Sequence, residues 1–170
     1  QALRLTDSFL DDVALASTLK SPIGNFTDED LVNIATFIRE REKDFHGTFN
    51  QAYKYYSDNA VGELADKVNM LNLYYDKLRT LSDFVGAEGV LLKLVKDFDI
   101  ESYLYAERNG RVKVARLLRF IKAANVGGKR LTVKEFLFKV ENSPEAFGFA
   151  ECGEENTERA LELSRKSFIK

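Results

Sequence analysis

Apolar residues recur along this chain every three or four positions, and almost nowhere do they alternate strictly with polar ones. That spacing predicts helices. Val13, Leu15, Ala16 and Leu19 form a first stripe, ending at Ser21-Pro22. Thr27 followed by Asp28, Glu29 and Asp30 is a helix start: a hydroxyl cap, then carboxylates at the positive end of the dipole. Leu31, Ile34, Ala35 and Ile38 would face inward from that helix, which Phe45-His46-Gly47 should break. Thr48 caps the next one, carrying Phe49, Ala52, Tyr53 and Tyr56 on one side.

A long helix is expected from Asn59 to about Gly86, with Leu64, Val68, Leu71, Tyr75, Leu78 and Phe84 near helical spacing. Further helices are expected over 89–98, 100–106 and 111–124, the last after the turn signal Asn109-Gly110. Gly127-Gly128 should end it. Thr132 and Glu135 fit a capping box, which predicts a helix over 133–140 that Asn142-Ser143-Pro144 stops. A loop over 145–155 and a helix over 157–169 complete the reading. The fold class is all-α: one compact multi-helix domain over 1–170, with no repeat or low-complexity tract.

Composition adds constraints. With 170 residues, 45% of them hydrophobic and 31% charged, the chain can bury a core like that of an ordinary soluble protein. Cys152 is the only cysteine, so an internal disulfide is impossible and a reducing, cytoplasmic setting is expected. The apolar runs are too short to span a bilayer, so no membrane partner is expected. The start at Gln1 carries no leader pattern, and without an initiating Met it reads as a piece of a longer protein.

The net charge of −2 is unusual for a free-standing nucleic-acid binder, but the charge is unevenly placed. From Glu101 to Lys139, ten basic residues face three acidic ones, a net +7 that leaves −9 elsewhere. On the helix over 111–124, Arg111, Arg116, Arg119 and Lys122 share one half. Val114, Leu117, Leu118, Phe120 and Ile121 share the other. Such a face can attract phosphates without reading sequence, or it can be a plain solvated face.

The stretch from Asp11 to Leu31 carries the sharpest motif. It reads D-x-x-A-L-x-x-x-L-K-S-P, a short glycine-containing loop, then T-x-E-D-L. It resembles the start of the accessory insertion called 2B in UvrD-like superfamily 1 DNA helicases, most closely the AddA and RecB helicase–nuclease branch. The resemblance covers about 11–155. It includes Lys113 to Phe120, similar to the family segment R-x-x-N-L-x-x-L with Arg116 at the Asn position and Phe120 at the last Leu. The family's motor motif T-x-H-x-[SA]-K-G-L-E does not follow Cys152–Asn156; the chain reads Thr157-Glu158-Arg159-Ala160 there.

In the family a P-x-x-G-x-x-T loop lies beside the DNA duplex. Here Pro22, Gly24 and Thr27 keep the residue types at a spacing one residue shorter. The resemblance therefore implies backbone contact through Ser21, Gly24, Asn25 and Thr27. A glycine and a helix start suit a phosphate, though an ordinary helix–helix connection uses the same residues. It also implies a parent ATP-dependent helicase–nuclease of double-strand-break repair. Its other helicase domains would hold ATP and magnesium, beside a nuclease partner subunit.

The chain itself offers no catalytic constellation. Gly127-Gly128-Lys129-Arg130 fails as a phosphate loop, because Ala123 stands where the first glycine belongs and Arg130 where Ser or Thr would hold magnesium. His46 and Cys152 have no ligand-spaced partners. Neither enzyme activity, a metal nor a bound cofactor is expected of this piece. A DNA-engaging accessory subdomain and a helical protein-interaction module without a nucleic-acid role both fit the sequence.

Overall fold

The computed structural model describes residues 1–126 and 128–143. The helix expected over 157–169 and the loop before it lie outside the described residues. Helices dominate, as the periodicity requires, and they gather into two compact units, Gln1–Leu81 and Ser82–Lys170.

The first unit is built from α1 (Ala2–Asp7), α2 (Asp12–Lys20), α3 (Asp28–Phe37), α4 (Phe49–Asn59) and the first part of α5 (Glu63–Asp97). Its helix starts are set by side chains. Asp11 accepts a hydrogen bond from the Ala14 N–H at 2.9 Å and caps α2. Thr27 and Asp30 form a reciprocal capping box on α3, and Thr48 and Gln51 form another on α4. Asp12 adds a tertiary cap: its carboxylate accepts from the Phe49 and Asn50 N–H groups at 3.3 and 2.8 Å, at the start of α4. The paired acids Asp11-Asp12 thus secure two different helices.

Leu5, Leu15, Leu19, Ile34, Val68 and Tyr75 are fully buried at the centre of this unit. Tyr53 and Tyr56 join them from α4. A polar ladder then ties α4 to α5. Tyr53 Oη donates to Asn72 Oδ1, Asn72 Nδ2 to Ser57 Oγ, and Ser57 Oγ to Asn69 Oδ1, each at 2.9 Å. Burial pushes the Tyr53 hydroxyl's pKa well up, so it stays a neutral donor.

Two expectations fail here. Val13 is 67% exposed, while Ala14 and Thr18 are buried, so the α2 stripe sits about one residue round from the expected one. Periodicity locates a helix but leaves its rotation to tertiary packing. The helix from Thr27 also ends at Phe37, well before Phe45. α1, not foreseen, buries Leu3 and Leu5.

The second unit holds the later part of α5, then α6 (Ile100–Ala106), α7 (Gly110–Lys122), a hairpin of β1 (Asn125–Val126) and β2 (Lys129–Arg130), and α8 (Val133–Asn142). Gly86 interrupts α5 with φ 65° and ψ −172°, a conformation open to glycine alone. The Ala87 N–H donates to the Leu131 carbonyl at 2.8 Å there, and a Cβ at Gly86 would stand 2.7 Å from that oxygen. Phe84, expected inside, is 76% exposed beside this kink. The core here is Val90, Leu94, Val114, Ile121, Leu131 and Phe136, with Phe120 edge-on to Phe136 at 5.0 Å between ring centres. The Thr132–Glu135 capping box forms as expected. The hairpin replaces a plain helix stop: Asn125 pairs with Arg130 and Val126 with Lys129, antiparallel.

Candidate nucleic-acid interface

The residues singled out in the sequence fall in both units, the loop in the first and the α7 face in the second. Each is built by its own neighbours.

In the loop, Ser21 terminates α2. Its hydroxyl donates to the Thr18 carbonyl at 2.7 Å and accepts from the Ile23 N–H at 3.2 Å. The Asn25 N–H donates to the Ser21 carbonyl at 2.8 Å, and the Phe26 N–H to the Leu19 carbonyl at 2.9 Å. Gly24 is buried against α2: a Cβ there would lie 2.4 Å from the Leu19 carbonyl oxygen. The glycine is thus required by the chain's own close approach, with no ligand needed to explain it. Asn25 supplies the reversal, with φ 55°.

The helix start beyond the loop is occupied too. The Thr27 N–H donates to Asp30 Oδ2 at 2.8 Å, and that bond is the main cause holding the Asp30 carboxyl below the ordinary carboxylate range. Asp28 and Glu29 add negative charge at the same end of α3. Two cations offset it. Lys20 pairs with Asp28 at 2.5 Å. Lys67, from α5, donates to the Asn25 carbonyl at 2.5 Å, lies 3.7 Å from Asp30, and rests 4.2 Å above the Phe26 ring. Lys67 is 42 residues from Asn25, and no local pattern could have found it. The loop is therefore an internally satisfied turn with carboxylates at its helix start, and Ser21, Asn25 and Thr27 sit at its surface.

The α7 face is different. Val114, Ala115, Leu118 and Ile121 are buried, so the core stripe follows spacings of one, three and three. Leu117 and Phe120, expected on that stripe, are only half-buried, and Ala115 takes their place. Arg116 is exposed opposite the stripe, and Arg111 is exposed at the first turn; Arg119 and Lys122 are half-buried along the flanks. Among the described residues Arg111, Arg116 and Lys122 have no ion-pair partner, whereas Lys113 is paired with Glu107. Arg119 and Lys122 lie in the last turn, where the helix dipole favours cations. Arg111 lies in the first turn, where the dipole disfavours them. Its position has no local electrostatic reward.

The charge asymmetry survives at the level of the units. Residues 1–81 hold nine Lys and Arg against thirteen Asp and Glu, a net −4; residues 82–170 hold sixteen against fourteen, a net +2. Among the described residues there is no group of three or more His, Cys, Asp or Glu placed to hold a metal ion, and no helix is long and apolar enough to cross a membrane.

No family model matches the chain. Curated relatives do, and each is the A subunit of an ATP-dependent helicase/nuclease. The chain is 33% identical over 115 residues to that of Syntrophomonas wolfei, a stretch covering 68% of this chain and 9% of that protein. It is 27% identical over 164 residues to that of Alkaliphilus oremlandii and 26% over 161 residues to that of Alkaliphilus metalliredigens; each match covers 91% of this chain and 13% of the relative. The chain thus spans about a tenth of the length of the relatives it matches. It is similar to one segment of these helicase/nuclease proteins, in the same AddA branch of UvrD-like helicases that the Asp11–Leu31 motif resembles.

Proposed function

We propose that this chain is an accessory, 2B-like DNA-engaging segment of an ATP-dependent helicase–nuclease, and that it contacts the backbone of duplex or junction DNA. The observation that carries the reading is that Arg111 and Arg116 on α7 are exposed and have no ion-pair partner among the described residues. Arg111 sits against its own helix dipole, a placement that folding does not reward but an approaching phosphate would. The similarity to helicase/nuclease proteins supports DNA as the source of that phosphate. The Ser21–Thr27 loop takes a lesser part in this reading. Its N–H groups are largely satisfied internally, so Lys20 and Lys67 would supply its attraction.

The parent's remaining helicase domains, with ATP and magnesium, and a nuclease partner subunit complete the proposed cytoplasmic assembly. A second reading has its own observation: Met70 and Leu73, 73% and 56% exposed, stand three residues apart on α5 and suit a protein partner. Binding of the 170-residue chain to a duplex–single-strand junction, measured against salt, separates the two. Weak binding is expected, with Kd on the order of 10⁻⁴–10⁻⁶ M at physiological salt. Changing Arg111→Glu and Arg116→Glu together should weaken it and flatten the log–log salt slope by roughly 1–2. Unchanged affinity and slope in a folded variant would leave the interaction module as the better reading.

A further inference from the structure

We propose that the β1–β2 hairpin is a second phosphate-binding element, in which Lys129 and Arg130 grip the same DNA backbone that α7 engages. The inference rests on the DNA reading above. The hairpin itself carries it. Lys129 and Arg130, the basic pair of a run that fails as a nucleotide loop, form one strand of an antiparallel ribbon, and both are exposed. Neither residue forms an ion pair or hydrogen bond with its side chain among the described residues.

The ribbon is firmly seated. The Leu131 N–H donates to the Ala124 carbonyl at 3.1 Å, and the Leu131 carbonyl accepts from Ala87 at the α5 kink. Asn125 Nδ2 donates to a Glu88 carboxylate oxygen at 3.1 Å. Both residues of β2 are exposed, so its two cations are not there for the core. Strand alternation sends Lys129 and Arg130 to opposite faces. Arg130 leaves from the Gly86 side, where its Cβ lies 3.5 Å from the place a Gly86 Cβ would take. Lys129 is near enough to α8 to add a small electrostatic pull to the Thr132 hydrogen bonds that hold the Glu135 carboxyl below its usual range.

Along the chain the flanking residues are mostly of the same sign, and the Glu88 carboxylate beside the ribbon is engaged by Asn125. From Lys122 to Lys139 the chain carries five basic residues and one acid, Glu135, whose carboxylate is held by the Thr132 N–H at 2.9 Å. A strand of phosphates meeting this ribbon finds cations on either face and no unengaged carboxylate between Lys122 and Lys139. Guanidinium and ammonium groups in that setting contact phosphate oxygens and read no bases.

The test uses the full 170-residue chain and a fluorescent DNA junction. Changing Lys129→Glu and Arg130→Glu should lower affinity several-fold and flatten the log–log salt slope by about 1–2. The milder pair Lys129→Ala and Arg130→Ala should do so to a smaller degree, and circular dichroism should show both variants folded. Lys43→Glu with Lys54→Glu, exposed positions of the first unit, makes the same change in net charge and should have a much smaller effect. If the hairpin reversal weakens binding no more than that control, the inference is wrong. When Arg111→Glu with Arg116→Glu still releases DNA in that case, the proposed function survives without the hairpin. When neither reversal matters, both readings fall together.

Discussion

Gly24 shows how a single residue can carry two explanations of very different weight. A glycine in a loop beside a helix start invites a phosphate, but here the Leu19 backbone already fills the space a side chain would need. Gly24→Ala should therefore destabilise the fold by roughly 1–3 kcal/mol, the usual cost of overpacking, whether or not DNA is present. Gly86→Ala should cost about as much for another reason: its φ of 65° with ψ −172° is a region essentially reserved for glycine, and its Cβ would meet the Leu131 carbonyl at 2.7 Å. Urea melts of the two variants check both. A Gly24→Ala protein of unchanged stability would mean that α2 and the loop can separate freely, returning the phosphate explanation to the glycine.

At the scale of the element, α7 is the most informative helix, because its burial contradicts the simplest pattern. Leu118 is 7% exposed and Leu117 is half-buried. Leu118→Ala should cost about 2–5 kcal/mol, the range for a truncated core leucine, and Leu117→Ala clearly less. Equal losses would mean the helix is rotated from the position described. Helix starts were legible because capping is local: Thr27, Thr48 and Thr132 each meet a partner three residues on, and all three boxes form. Rotation was not legible. Val13 and Phe84 occupy correct helical spacing yet face outward, since which stripe is buried depends on neighbours far along the chain. The hairpin was invisible for a related reason. Strands of two residues give no alternation to read, and their pairing depends on backbone bonds that tie Leu131 to Ala124 and Ala87. The basic face was legible as composition, whereas Lys67 beside the loop was not, because only tertiary folding brings it to Asn25.

Across the whole molecule, carboxylates recur as helix caps, and this makes stability depend on acid in a defined direction. Asp11 is held below its ordinary pKa chiefly by the Ala14 N–H, Asp30 by the Thr27 N–H and Glu135 by the Thr132 N–H. In each case the folded state prefers the ionised form more than the unfolded chain does. The unfolded chain therefore binds more protons once the pH approaches the ordinary carboxylate range near 4, and stability must fall with falling pH. The contribution is complete above that range and is lost as the pH drops through the lower, folded values. Glu135 is exposed and Asp11 and Asp30 are partly so, so screening keeps the single contributions small, and the effect is expected as a sum over both units. Melting temperature should accordingly stay level from about pH 7 to pH 5 as far as these groups decide it, then decline towards pH 3. Changing Asp11→Asn, Asp30→Asn and Glu135→Gln together should lower stability at neutral pH and flatten that decline, because the amide-bearing caps no longer titrate. A triple variant that loses stability between about pH 5 and pH 3 as steeply as the parent chain would place the acid sensitivity in other carboxylates.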